Sequence, residues 1–215
     1  MPIRENREYR AMPLMKAADI NAKPLIDSEY YVEGYATTFN EPYLLFDDGE
    51  SRFYEEVSER AFDNADMSDV IFLRNHEGKC LARNKMKTGK EPTMILSVDE
   101  HGLFVGADLG ITDEGRDEWR AITGGLVYQM SFAFTVADDE VRQTVPNVYV
   151  RRIKSFRKIY DVSSVDNPAN PNTSINTIAR SAFDGFIEEQ KQEMLRAEAR
   201  KRQIQKIRIL TEVTK

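Results

Sequence analysis

His76 and Ser131 supply the two groups that acyl transfer needs, a base and a hydroxyl nucleophile. The chain has 215 residues and two histidines. His76 lies in Asn75-His76-Glu77-Gly78, a turn signature after the apolar run Asp69 to Arg74. Ser131 lies 55 residues later, in Met130-Ser131-Phe132-Ala133-Phe134. There it interrupts an otherwise aromatic and aliphatic stretch. The second histidine, His101, falls in Asp99-Glu100-His101-Gly102, a short connection between two strand-like runs, where a structural role is expected. Cys80 follows His76 by four residues. A lone cysteine is more often a small buried hydrophobe than a nucleophile. Two separated histidines and one cysteine form no zinc ligand set. The acidic stretch Asp47-Asp48-Gly49-Glu50 is too short for an EF-hand. Neither a metal nor a cofactor is expected.

The elements that must hold these residues are mostly strands. Leu126 to Val136 alternates clearly. Leu126, Tyr128, Met130, Phe132, Phe134 and Val136 take one face, and Val127, Gln129, Ser131, Ala133 and Thr135 take the other. Ser131 therefore sits on the smaller, partly polar face, which is expected to be open to an approaching group. Tyr30 to Phe39, Phe53 to Val57, Asp69 to Arg74, Thr93 to Val98, Leu103 to Leu109, Tyr149 to Ile153 and Lys158 to Val165 read as further strands. Thr93 to Leu109 should be a hairpin. Asn40 to Ser51 reads as a loop, and Ser58 to Asn64 as one or two helical turns with Ala61 and Phe62 facing inward. Asp113 to Thr123 should be a helix, capped by Thr112 and stopped by Gly124-Gly125. Asp166-Asn167-Pro168-Ala169-Asn170-Pro171 ends the last strand, because proline cannot continue a ladder.

From Ala182 to Glu212 there is no proline and one glycine. Ile187, Met194, Ala197, Ile204 and Ile207 recur as one narrow helical stripe, with acids leading and bases following. A partner-seeking or oligomerising helix is expected there, and with it a homo-oligomer.

Length and composition set the frame. One domain of about 180 residues with an appendage suits the chain. Three regions are expected: a loose arm over 1–26, a β-barrel domain over 27–180 and a charged helix over 181–215. The fold class is β-dominated α+β. A net charge of −6 argues against general nucleic-acid binding. No apolar run approaches the roughly 18–20 residues that span a bilayer, so no membrane partner is expected. The charged first sixteen residues have no apolar segment of the secretory kind. One cysteine excludes an internal disulfide and suits a reducing compartment.

The order of the signals resembles a family. Gly34-Tyr35-Ala36 precedes Phe39-Asn40; Tyr54-Glu55-Glu56 precedes Ala61-Phe62; Asp69-Val70 precedes Asn75-His76. Then come Asp99-x-x-Gly102-Leu103, Gly125-x-Val127-x-x-Met130-Ser131-Phe132-x-Phe134 and Val162-Ser163-x-Val165-x-x-Pro168-Ala169-Asn170. Over about residues 30 to 180 this is similar to the prohead (procapsid maturation) proteases of HK97-like tailed bacteriophages. The resemblance implies a barrel like that of the herpesvirus capsid-assembly proteases. It also implies cleavage of scaffold and major capsid protein segments, in the host cytoplasm, inside the assembling prohead. The sequence departs from the family at Glu59-Arg60-Ala61-Phe62, at Cys80-Leu81-Ala82-Arg83 and at Asp161, where Glu is common. A non-catalytic β-barrel shell or tube protein is the alternative, since a fold can outlive its chemistry.

On this resemblance Ser131 is the nucleophile and His76 the general base. The third member stays open. Asp161 is the first choice, because aspartate in a strand needs a reason. By simple alternation it shares a face with Ile159, Ser163 and Val165. Asp166 is the runner-up, in ordinary turn context, and His101 would match the herpesvirus arrangement. Arg151, Arg152 and Arg157 are candidates for stabilising an oxyanion, although a solvated strand edge is the simpler expectation for them.

Overall fold

The computed structural model describes residues 7–13, 24–87, 89–166 and 174–213. The fold is strand-dominated with two helices among those residues. Its elements, in order, are β1 (Glu8–Pro13), β2 (Tyr31–Thr38), β3 (Tyr43–Asp47), β4 (Arg52–Val57), β5 (Ile71–Arg74), β6 (Glu77–Arg83), β7 (Met94–Val98), β8 (Gly102–Asp108), α1 (Asp113–Thr123), β9 (Gln129–Val145), β10 (Val148–Val165) and α2 (Ser174–Val213). A seven-stranded sheet runs β1-β9-β10-β4-β3, with β5 also on β10 and β6 on β5. A three-stranded sheet runs β2-β8-β7. The pairings among the described residues draw two open sheets and do not close into the expected barrel.

The organising pair is β9 and β10, a long antiparallel hairpin. Both strands are rich in β-branched and aromatic residues, which suit a pleated, half-buried surface. Instead of two strands, Val148–Val165 is one, bent by several register shifts. Its first part pairs in parallel with β4, and its last part in parallel with β5. The main core lies between the two sheets. Phe72, Phe132, Phe134, Phe156 and Ile159 of the large sheet meet Ala36, Met94, Leu103 and Val105 of the small one. The Thr93 to Leu109 hairpin forms as β7 and β8. Helix α1 has the expected bounds; Thr112 Oγ1 accepts from Gly115 N at 3.0 Å, and Gly125, at φ 77°, ends it.

Several segments differ from expectation. Ser58 to Asn64 forms turns, not a helix, although Ala61 and Phe62 are buried as expected. Tyr43–Asp47, expected within a loop, is strand β3. Its Leu45 and Phe46 join Phe53, Tyr149 and Phe183 in a second core, an apolar signal hidden by the surrounding acids and glycine. Strand β6 carries no strand signal because its first four residues are exposed and polar or small. Helix α2 begins before Ala182 and is docked at its start: the Phe183 ring lies 5.4 Å from Phe46, 5.5 Å from Phe53 and 4.8 Å from Tyr149. Further along, Met194 and Leu195 are exposed. The side chains of Ile204 and Ile207 and the Asn167 to Pro171 strand stop lie outside the described residues. Among the described residues, no helix is long and apolar enough to cross a membrane.

The largest departure is at the N-terminus. In place of a loose arm over its whole length, Glu8–Pro13 is the edge strand β1, antiparallel to β9. An ionic cluster pins it, with Glu8, Arg10, Glu55 and Arg151 buried and Asp139 and Tyr43 partly so. Arg10 Nε donates to Glu55 Oε1 at 2.5 Å and Arg10 Nη2 to Glu8 Oε2 at 2.6 Å. Arg151 donates to Glu8 at 2.6 and 2.9 Å, to Glu55 at 2.8 Å and to Asp139 at 2.7 Å. Tyr43 Oη donates to Glu55 Oε1 at 2.5 Å. Burial disfavours the charge on Glu55, but Arg10 and Arg151 outweigh it and hold the carboxyl below its ordinary value. Burial and the same carboxylate push the Tyr43 hydroxyl well up. The rest of 1–26 up to residue 23, apart from Arg7 and β1, lies outside the described residues.

Candidate active site

The site is built on one face of three adjacent strands. Across the β9–β10 ladder Ser163 is the register partner of Ser131, and Asp161 that of Ala133. On the other side of β9, Ala11 of β1 opposes Ser131 and Tyr9 opposes Ala133. Directly opposed residues point to the same side of a sheet. Ser131, Asp161, Ser163 and Tyr9 therefore share a face, opposite the core face of Phe132 and Phe134. The expected alternation holds from Gln129, where β9 begins; Leu126 and Tyr128, expected on the core face, precede the strand and are exposed, while Val127 is buried. In β10 it breaks, because a register shift lies between Ile159 and Asp161. Ile159 opposes Phe134 in the core, so Asp161 does not share its face as simple alternation predicts. Nor is the Ser131 face open: Ser131 is 2% exposed, and Ala133 and Thr135 are buried beside it.

His76 reaches this face from the β5–β6 hairpin. Its connection is the two residues Asn75-His76, at φ 51° and 61°. Two successive residues in the left-handed region define the primed turn whose twist suits a tight hairpin. Asn and His tolerate that region better than most residues. Because β5 runs parallel to the end of β10, the turn arrives at the level of Ser163 and Ser164. Asn75 N donates to Ser164 O at 2.9 Å. Asp166 clamps the turn: it accepts from Arg74 Nη2 at 3.0 Å and from Asn75 Nδ2 at 3.1 Å, and its N–H donates to Asn75 Oδ1 at 3.2 Å. The Asn75 and Arg74 hydrogen bonds hold the Asp166 carboxyl below its ordinary range. Arg74 also lies 3.4 Å from the buried Glu118 of α1, which accepts from Ser164 Oγ at 2.7 Å.

The imidazole bridges two side chains. His76 Nδ1 lies 2.5 Å from Asp161 Oδ1, and His76 Nε2 lies 2.6 Å from Ser131 Oγ. An ionised carboxylate only accepts, so Nδ1 carries the proton and Nε2 is left to accept from the serine hydroxyl. Ser163 Oγ donates to Asp161 Oδ1 at 3.0 Å and lies 3.2 Å from His76 Nδ1. The Tyr9 ring meets the imidazole edge-on, with centroids 4.6 Å apart. Arg7 Nη1 is 4.0 Å from Asp161 Oδ2. A cleft of about 510 Å³ adjoins the turn, lined by Arg74, Asn75, Glu77, Lys79, Leu81 and Glu118 among others.

The remaining candidates lie elsewhere. His101 is in the exposed β7–β8 connection, 3.8 Å from Glu100. Asp166 touches the turn rather than the ring. Arg151 is wholly buried in the ionic cluster, not on a solvated edge, and Arg152 pairs with Glu56 and Asn40. Arg157 is an exposed residue of β10 whose carbonyl accepts from Asp66 N. Cys80 is exposed and its thiol donates to Ala82 O at 3.1 Å. Among the described residues no group of three or more His, Cys, Asp or Glu could hold a metal ion. Two residues of the site, Tyr9 and Ser163, are not singled out by sequence reasoning. Ser163 is visible there as a polar residue two positions from Asp161. Tyr9 carries no signal, because nothing local ties β1 to β9.

Residues 16–188 match the family described as caudovirus prohead serine protease. No curated protein and no solved structure matches the chain.

Proposed function

Since the chain belongs to the caudovirus prohead serine protease family, we propose that Ser131, His76 and Asp161 are its catalytic triad and that it cleaves scaffold and major capsid protein segments. The family makes it a serine peptidase of prohead maturation, with phage capsid proteins as substrates, acting inside the prohead in the host cell. The observation that carries the residue assignment is the continuous contact from Asp161 Oδ1 through His76 to Ser131 Oγ, at 2.5 and 2.6 Å. A likeness to the herpesvirus capsid-assembly proteases in fold, and assembly as a homo-oligomer, belong to the same proposal.

In this mechanism Ser131 Oγ attacks the scissile carbonyl while His76 Nε2 takes its proton. Asp161 keeps the proton on Nδ1 and stabilises the imidazolium that forms. His76 then gives the proton to the leaving amine, leaving an acyl group on Ser131. Water, deprotonated by the same nitrogen, releases it.

The test is Ser131→Ala co-expressed with the scaffold and major capsid protein. Removing a triad member costs about 10⁴–10⁶ in kcat, so processing should stop while the variant keeps its fold. Processing that continues at the normal rate would place the nucleophile elsewhere.

A further inference from the structure

The nucleophile stands in the middle of a paired strand, and this removes the usual source of oxyanion stabilisation. Met130, Ser131, Phe132 and Ala133 each have a register partner on β1 and another on β10. In such a central strand the backbone N–H and C=O groups are consumed by the two ladders. The amide of Ser131 and those of its neighbours are therefore not free to receive a developing negative charge. A side chain must take that role, or donors brought from outside the strand.

Gln129 has the required position and an unused group. It is two residues before Ser131, so it projects from the same face of β9. Its Oε1 is buried and, among the described residues, has no hydrogen-bond partner. Buried polar atoms are nearly always paired, and an orphan needs an explanation. The other such atom among the described residues, Thr135 Oγ1, lies beyond Ala133, two residues further from Ser131 than Gln129 is. The carboxylate and the Tyr9 ring that meets the imidazole lie towards Ala133, which Asp161 and Tyr9 both oppose. Gln129 stands on the opposite side, with Val165 as its register partner. A half-turn of the carboxamide about its last side-chain bond places N–H where the buried oxygen now lies, at no cost in volume.

We propose that the Gln129 carboxamide N–H donates to the oxyanion of the tetrahedral intermediate. The proposal rests on Ser131 as nucleophile. Gln129 is then a catalytic residue that contacts the reacting oxygen, and substrate binding in the ground state depends on it little.

The full-length chain tests this with a fluorophosphonate probe, which phosphonylates an activated serine and puts a P=O oxygen where the oxyanion would be. The variants are Gln129→Leu and Gln129→Glu, both of similar size and without the N–H donor, beside Ser131→Ala. Labelling should vanish in Ser131→Ala. It should slow by about 10²–10³-fold in both Gln129 variants, the range for loss of one oxyanion donor, with unchanged thermal unfolding. Gln129→Asn, which restores a donor on a shorter arm, should recover part of the rate. Labelling lost in Ser131→Ala but at the normal rate in both Gln129 variants overturns the assignment of Gln129 alone. Labelling that persists in Ser131→Ala removes the nucleophile, and this assignment with it.

Discussion

Ser163 and His76 share one acceptor: the hydroxyl of Ser163 donates to Asp161 Oδ1 at 3.0 Å, the same oxygen that lies 2.5 Å from His76 Nδ1. The carboxylate is thus fixed by its own strand two residues on, independently of the imidazole. Donors to a charged group contribute about 1.5–3 kcal/mol.

Ser163→Ala should therefore lower the turnover number roughly tenfold, a change of about 1.4 kcal/mol in the barrier. KM should stay within a factor of two or so, because Ser163 acts through Asp161 and not on substrate. Ser163→Thr, which keeps the hydroxyl, should recover most of the loss. Steady-state kinetics on a processed peptide separates the two constants. A change confined to KM would remove the positioning role.

Asp161 and Asp166 should behave differently when each is made neutral. Asp161→Asn should cost about 10⁴ in turnover, the magnitude for an orienting carboxylate that keeps the base in the right tautomer. Asp166→Asn should cost far less, since Asp166 contacts Arg74 and Asn75 rather than the ring. Its effect should be a loosened turn, read as faster amide exchange at Asn75 and His76. Equal losses in the two variants would show that the clamp on the turn matters as much as the carboxylate on the imidazole.

The ionic cluster under β1 should dominate stability. Glu55→Gln leaves Arg10 and Arg151 short of a buried counter-charge, which costs about 3–5 kcal/mol. The pH dependence has a definite sign. The Glu55 carboxyl in the folded chain titrates below its ordinary value of 4.5. Its stabilisation is fully present above that value and is lost as pH falls from there through the lower, folded one. Urea midpoints measured from pH 7 down to pH 3 should fall in wild type, and the acid limb should be shallower in Glu55→Gln. Parallel curves for the two proteins would assign the acid loss to other carboxylates.

Helix α2 divides into a docked start and an exposed remainder. Ending the chain after Gln190 keeps Phe183 and Phe186 against Tyr149 and should leave thermal unfolding nearly unchanged. Ending it after Ala182 exposes the second core and should cost about 1.5–3 kcal/mol, the value of one buried aromatic side chain. If the exposed part recruits the enzyme to scaffold or capsid partners, the shorter truncation should already lower its incorporation into proheads. Normal incorporation of that variant would leave α2 with packing alone.

The local chemistry of the site is legible in the residues themselves. A period-two pattern places Ser131 opposite Met130, Phe132 and Phe134, and side-chain alternation is a property of the strand itself. Asn75-His76 marks a tight turn through residue types that accept positive φ. Thr112 and Gly124-Gly125 bound α1 through capping groups within a few residues of its ends. Each of these is short-range, so sequence neighbours carry the information.

Partnership across the sheet is not short-range. Asp161, Asp166 and His101 are all available to the imidazole until β5 lies parallel to the end of β10 and delivers His76 to Asp161. The register shift between Ile159 and Asp161 turns the carboxylate away from the core, and no local pattern marks that extra residue. Strand β1 is invisible in the sequence because its two charges, Glu8 and Arg10, read as solvent-facing. They are buried only because Glu55 and Arg151 come to them from 45 to 143 residues away. Residue types name the chemistry, and long-range register chooses which groups meet, since a strand encodes its own faces but not its neighbours.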